Sequence, residues 1–324
     1  MKKITSITLS LFMLISLVAC DEQDTKTQHI GIIQYAQHPA LDQSRDGFID
    51  ALKDEGFVDG ENISIDEQNA QGEGSNAETI ADKLVNDNND LIYAIATPSA
   101  IAVSQKTQEI PIVVSAVTNP ADSGLVKSNE KPDTNITGVS DLSPVDAQID
   151  LLLELAPNVK SVAIMYTNAE RNSELQYKIA KKALEKKGIE VKAATVSDTN
   201  QVQQVAESLV GKVDALYVPT DNMVSEAVAN VVSITNENNI PSVVGEIAMV
   251  EKGALATYGI NYYNLGYIAG KQAAKILRGE AKPQDMAIEY ASKDDLEYGF
   301  NTTSAKKLGI TIPDALLKNA NIIE

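Results

Sequence analysis

Few residues in this chain are equipped to make or break bonds. One cysteine, Cys20, and two histidines, His29 and His38, occur in 324 residues. That excludes Cys₄ and Cys₂His₂ zinc sites, iron–sulfur clusters and any internal disulfide, all of which need more of these residues than the chain has. The sequence contains no G-x-S-x-G turn, no H-E-x-x-H helix and no phosphate-binding glycine loop with its lysine. A serine–histidine–aspartate triad would have to use His38, and nothing around Gln37-His38-Pro39 supports one. Gly72-Glu73-Gly74 lacks the third glycine of a dinucleotide fingerprint and follows the second strand of its unit. Acidic residues are plentiful, but no two are singled out as acid and base. The chemistry expected is therefore binding without catalysis, with no cofactor and no metal.

Charge narrows the partners. Acidic residues number 45 against 27 basic ones, a net charge of −18. Nucleic acid needs a basic surface, and an anionic bilayer would repel this one. At the N-terminus, Lys2 and Lys3 precede an uncharged, mostly apolar stretch from Ile4 to Ala19, the pattern of a secretory signal. It ends in Leu17-Val18-Ala19-Cys20, which resembles the bacterial lipoprotein box, where the cysteine is lipidated and becomes the first mature residue. The expectation is a signal peptide over 1–19, a lipidated flexible tether over 20–28, and a soluble body held to the outer face of the cell membrane by lipid.

The body reads as one α/β architecture written twice. Ile30–Tyr35 is an apolar run followed by a loop and a helix-period stretch, Leu41 to Lys53, that closes at Gly56. Ser161–Tyr166 repeats this about 130 positions later, with a helical stretch from Ser173 to Lys187 closing at Gly188. The glycines sit where a helix C-terminus turns left-handed. ISIDEQ and VKAATV, DLIYAIATP and VDALYVPT, then IPIVV and IPSVV continue the correspondence. Short apolar strands alternating with helices mean buried parallel sheets, and two such sets mean two similar lobes. In open parallel sheets, ligands sit beyond the carboxyl ends of the strands. That rule selects QYAQHP, ATPSA, SAVTNP, MYTNAERNS, PTDN and GEIAM, loops rich in hydroxyls, amides and small residues that suit a small polar molecule.

The runs AIATPSA, IPIVVSAVTNPADSGLV, NITGVSD, VGKVDALYVPTDN and GALATYGINYYNLG, in that order, resemble the substrate-binding lipoproteins of ABC importers. The branch is the one with the type I periplasmic-binding fold, whose Gram-positive members are associated with tryptophan or tyrosine uptake. The resemblance implies two Rossmann-like lobes, 29–140 plus 258–287 and 141–257 plus 288–324, joined by three crossings near 139–143, 255–260 and 288–294. It also implies an aromatic amino acid as ligand, and a permease and an ATPase as partners. A surface sensor or adhesin on the same fold, or a branched amino acid, purine or sugar as ligand, are the competing readings.

For such a ligand the residues divide by chemistry. Thr97, Ser99 and Ala100, at a strand end that opens a helix, offer backbone N–H groups for a carboxylate, with Ser115 and Thr118 adjacent. Thr220, Asp221 and Glu246 occupy matched strand ends in the second lobe, where a carboxylate would meet the ammonium. Asp221 reads equally as a helix cap, and its replacement by alanine is expected to weaken binding and spare the fold. Asn172, Ser173 and Asn261 would complete the hydrogen bonds. Tyr166 and Tyr262 are the aromatic surfaces for stacking, and Gln34 and His38 lie in the first loop.

Overall fold

The computed structural model describes residues 27–324; the expected signal peptide and the lipidation site at Cys20 lie outside them. The first half of the chain runs β1 (Gln28–Gln34), α1 (Pro39–Asp54), β2 (Ile63–Asn69), α2 (Gly74–Asn86), β3 (Leu91–Ile95), α3 (Thr97–Ser104), β4 (Ile112–Ser115) and β5 (Ile136–Ser140). The second runs α4 (Val145–Leu155), β6 (Ser161–Thr167), α5 (Arg171–Lys186), β7 (Glu190–Val196), α6 (Thr199–Leu209), β8 (Ala215–Val218), α7 (Asn222–Glu237), β9 (Ser242–Val244), α8 (Ile247–Glu251) and β10 (Ala256–Ile260). After these come α9 (Tyr262–Leu277), β11 (Glu289–Tyr290), β12 (Leu296–Asn301), α10 (Thr302–Leu308), α11 (Asp314–Leu317) and β13 (Asn321–Ile323).

Both sheets carry the same order. The first is β2-β1-β3-β4-β5 and the second β7-β6-β8-β9-β10, each parallel throughout that set. Short β11 extends the first sheet beside β5, while β12, antiparallel to β10, and β13 extend the second. The chain passes between the sheets at 141–144, at Asn261 and at 291–295. The division expected from the sequence differs by a few residues. Tyr258–Ile260 pair with β12 in the second sheet, and Glu289–Tyr290 pair with β5 in the first. The reason is local: Asn261 caps α9, so the chain leaves the second sheet at that residue and not before it.

Period-two alternation shows why strands of this kind carry apolar residues on both faces. Along β6, Val162, Ile164 and Tyr166 join the core under α4 and α5, while Ala163 and Met165 join the core under α6 and α7. In the first lobe, α1 and α9 cover one face of the sheet together, and they approach backbone to backbone. A Cβ at Gly266 would stand 1.8 Å from the Ser44 carbonyl oxygen, one at Gly47 2.1 Å from that of Tyr263, and one at Gly270 2.6 Å from that of Phe48. Three glycines therefore weld the helix that follows the second crossing to the helix that follows β1. Gly266→Ala is expected to cost about 3 kcal/mol by overpacking, read as a lower urea midpoint. Gly74→Ala, where nothing lies within 4 Å, should stay within about 0.5 kcal/mol of the parent. Equal midpoints for the two variants would refute the close contact.

Candidate functional site

The carboxyl ends of both sheets face one another across a chamber. From the first lobe it is lined by His38 and Leu41, after β1, and by Ala116 and Thr118, after β4. The crossings contribute Asp141 and Tyr262, and the second lobe contributes Asn172, Thr220, Asp221, Asn222 and Glu246. This is the topological switch point of each sheet, where helices to either side leave a crevice. The walls bound about 250 Å³ of space free of protein atoms, part of it open to solvent. A wider hollow, beside Lys282–Gln284 and 133–136, lies open at the opposite end of the first sheet's strands.

The electrostatics of the chamber are one-sided. Asp141, Asp221 and Glu246 are buried in its walls, Glu170 is buried directly behind the lining Asn172 and Asn222, and no lysine or arginine is among the lining residues. The Tyr262 hydroxyl donates to Asp141 Oδ2 at 2.7 Å, and Asp141 Oδ1 is buried without a protein partner. Burial pushes the Asp141 carboxyl up to about 6, with the Glu246 charge adding to the effect. The Ser225 hydroxyl donates to Glu246 Oε1 at 2.8 Å, and burial, reinforced by Asp221, raises Glu246 to about 7. The amides of Asn222 and Asn172 donate to Glu170 Oε2 at 2.6 and 3.1 Å, leaving Glu170 Oε1 buried and unpartnered. Burial and the nearby Asp221 charge hold Glu170 well above the usual carboxylate range. Burial takes the His38 imidazole down to about 4, so the ring is neutral and offers one donor and one acceptor. Asn222 lies beside it and Glu246 Oε1 is 3.8 Å from its Nδ1, yet neither ring nitrogen meets a partner in hydrogen-bonding geometry.

Two backbone positions stand out. Ala96 and Ala116, the residues that end β3 and β4, adopt φ of 78° and 53°, a region that side chains other than glycine occupy at a cost. Ala96 turns the chain into α3, whose Thr97 and Ser99 hydroxyls are buried without protein partners. Fully buried glutamines hold the other wall. Gln148 Nε2 donates to the carbonyls of Tyr258 (2.9 Å) and Gly245 (3.3 Å) while accepting from the Tyr217 hydroxyl at 2.6 Å, tying the loop that carries Glu246 to the strand that enters the second crossing. Gln176 Nε2 donates to Thr220 Oγ1 at 2.6 Å and to its carbonyl at 3.1 Å.

A family profile described as ABC transporter substrate binding protein matches residues 29–323. The chain belongs to that family. It is 42% identical over 283 residues, 87% of this chain and 81% of the relative, to a tyrosine-binding protein of Clostridioides difficile strain R20291. The solved structure of an ABC domain in complex with L-Trp from Streptococcus pneumonia superposes with a TM-score of 0.88 at 36% identity, covering 92% of this chain and 100% of that one. The ligand-free, open structure of a substrate-binding protein with adhesive properties from Clostridium difficile is closer in sequence, 44%, yet superposes with a TM-score of only 0.71, over 92% and 99% of the two chains. The chain therefore superposes better on the L-Trp complex than on the open, ligand-free structure. The fold is the type I periplasmic-binding fold.

The residues that sequence reasoning selected in this substrate-binding protein fall into three groups. His38, Thr118, Asn172, Thr220, Asp221, Glu246 and Tyr262 line the chamber. Thr97 and Ser99 lie buried at the start of α3 with Ala100 behind them, and Gln34 donates to Ala36 O and Asp42 Oδ1, its own Oε1 unpartnered. The rest are occupied elsewhere. Ser115 shares a buried hydroxyl cluster with Ser44 (2.7 Å) and Tyr93 (2.5 Å). Tyr166 stacks on Tyr177 with centroids 4.4 Å apart, on the face of β6 turned away from the α6–α7 layer. Ser173 is buried behind Asn172, and Asn261 caps α9 through the Asn264 amide. Glu170 and Asn222 lie in the selected loops without being singled out, and Asp141 lies in the expected first crossing. Applying the strand-end rule to β5 would have reached Asp141.

Asp221 turns out to be a structural bond as well as a wall. It accepts from the Thr167 amide (2.6 Å), the Thr167 hydroxyl (2.8 Å) and the Val224 amide (2.8 Å), capping α7 and joining it to the end of β6. Against the sequence-based expectation, Asp221→Ala should lower stability by about 2 kcal/mol, the scale of a lost cap with charge-assisted hydrogen bonds. Urea unfolding of the ligand-free protein measures it, and an unchanged midpoint would show that the bonds carry no net stability.

Proposed function

We propose that this protein captures an aromatic amino acid, tyrosine or tryptophan, in the interlobe chamber and delivers it to the permease and ATPase of an ABC importer. It would work on the outer face of the cell membrane, held there by lipid on Cys20. The observation that carries the reading is a buried chamber lined by three carboxylates, with Glu170 directly behind its wall and no lysine or arginine among the lining residues. Such a chamber is complementary to an ammonium, and the relatives named above handle tyrosine and L-Trp. Asp141, from the first crossing, and Glu246, from the second lobe, are the pair for that ammonium; binding it would draw a hinge segment and a lobe together. The N-terminal amides of α3, with Thr97 and Ser99, would take the carboxylate. No step breaks a covalent bond, so affinity and closure make up the whole mechanism. A second reading, the same fold used as an adhesin, is favoured by the adhesive properties of the 44% identical relative. Among the described residues no helix is long and apolar enough to cross a membrane.

Heat-stabilisation against the twenty amino acids and several sugars and nucleosides tests the ligand. One present at 100 times its Kd adds about 2.7 kcal/mol, and a panel in which no aromatic amino acid stabilises would overturn the proposal. The pH dependence follows from Asp141 at about 6 and Glu246 at about 7. An ammonium needs both ionised, so protons compete with it at low pH and are released when it binds near neutrality. Affinity should rise from pH 5 to pH 8, and binding heats at pH 6.5 should vary with the ionisation enthalpy of the buffer. Heats that are identical in all buffers would remove these carboxyls from the ammonium site.

A further inference from the structure

If the ammonium lies between Asp141 and Glu246, the side chain of the ligand points to the opposite end of the chamber. The groups between can be followed one to the next: Glu246 Oε1 is 3.8 Å from His38 Nδ1, His38 neighbours Asn222, and Asn222 Nδ2 is 2.6 Å from Glu170 Oε2. Glu170 stands directly behind the chamber wall at that end. Asn172 and Asn222 line it, and both turn their amide nitrogens to Glu170 Oε2, which leaves Asn172 Oδ1 and Glu170 Oε1 buried with no protein partner. Two unpartnered buried oxygens are costly unless the guest supplies a polar atom.

We propose that Glu170, held between Asn172 and Asn222, reads the polar atom on the ligand's ring and sets the preference for tyrosine or tryptophan over phenylalanine. The inference rests on the aromatic amino acid reading above. Because Oε2 already accepts from two amides, a proton on the carboxyl belongs on Oε1, and burial beside Asp221 favours that neutral form. Oε1–H then donates to a phenol oxygen while Asn172 Oδ1 accepts the phenol proton. An indole N–H satisfies one of the two oxygens, and a phenyl ring satisfies neither. The site is thus built to reject an isostere that lacks a polar atom, which is the stronger kind of discrimination.

The test is a set of dissociation constants for tyrosine, tryptophan and phenylalanine on the full protein and on two variants, Glu170→Leu and Glu170→Gln. The parent should bind tyrosine roughly tenfold to a hundredfold more tightly than phenylalanine. Glu170→Leu should bring the two within about threefold, mainly by weakening tyrosine. Glu170→Gln, with its amide oxygen toward the asparagines and its NH₂ in the chamber, keeps a donor and should keep the preference. The ratio does not depend on the fraction of protein folded, so loss of stability in the leucine variant leaves the test intact. A parent that binds phenylalanine as well as tyrosine, or a leucine variant that keeps the ratio, overturns the assignment while sparing the aromatic reading. A parent that binds none of the three overturns both.

Discussion

Repulsion among Asp141, Glu170, Asp221 and Glu246 is the constraint around which the two lobes are organised. Each carboxylate alone would cost several kcal/mol to bury as an ion. Placing four around one crevice raises that cost and leaves three routes of relief: protonation, hydrogen bonds, or a cation. Glu170 is relieved by asparagine amides and by burial that favours its neutral form, and Asp221 by the hydrogen bonds of the α7 cap. Asp141 and Glu246 have one hydroxyl donor each, from Tyr262 and Ser225. Helices contribute as well. α1, α3, α5, α7 and α9 all begin at this end of their sheets, so their positive termini converge on the crevice and offset part of the negative charge.

Asp141 lies in the first crossing and Tyr262 directly follows the second, so their hydrogen bond ties the two crossings together. A ligand that engages Asp141 therefore acts on the crossings themselves, not only on the walls. Gln148 extends the same connection into the second lobe, since its amide binds both the loop carrying Glu246 and β10, the strand that enters the second crossing. In the first lobe the equivalent is Gln272 of α9, whose amide donates to Glu289 Oε1 at 2.7 Å and to the Gly138 carbonyl at 3.4 Å, linking the strands that flank the first and third crossings. Buried glutamines suit such positions: one side chain satisfies several backbone groups where strands end and regular pairing stops.

Much of this was legible in the sequence because it is written in periodicity. The duplicated strand order follows from matched apolar runs, and the helix ends from Gly56 and Gly188, both at positive φ. What was not legible is direction. Tyr166 lies at a strand end, as a ligand-stacking residue should, but the alternation along β6 turns it into the core against Tyr177. Ser115 is likewise drawn to Tyr93 and Ser44, partners remote in sequence. Asp141 and Glu170 are single acidic residues among 45, and only the three-dimensional meeting of four strand ends separates them from carboxylates on the surface. The site of crossing at Asn261 depended on a side-chain cap, which composition does not reveal.

The glycine seam between α1 and α9 has a further consequence for how this binding site can diversify. Because the two helices are locked by main chain against main chain, the first lobe keeps its shape without help from the side chains at its cleft edge. His38, which sits at the start of α1 outside the hydrophobic core, is thereby released from any duty of holding the two helices together. Exchanges there can alter which solute is accepted while the scaffold beneath stays rigid, so the seam separates the evolution of taste from the preservation of shape.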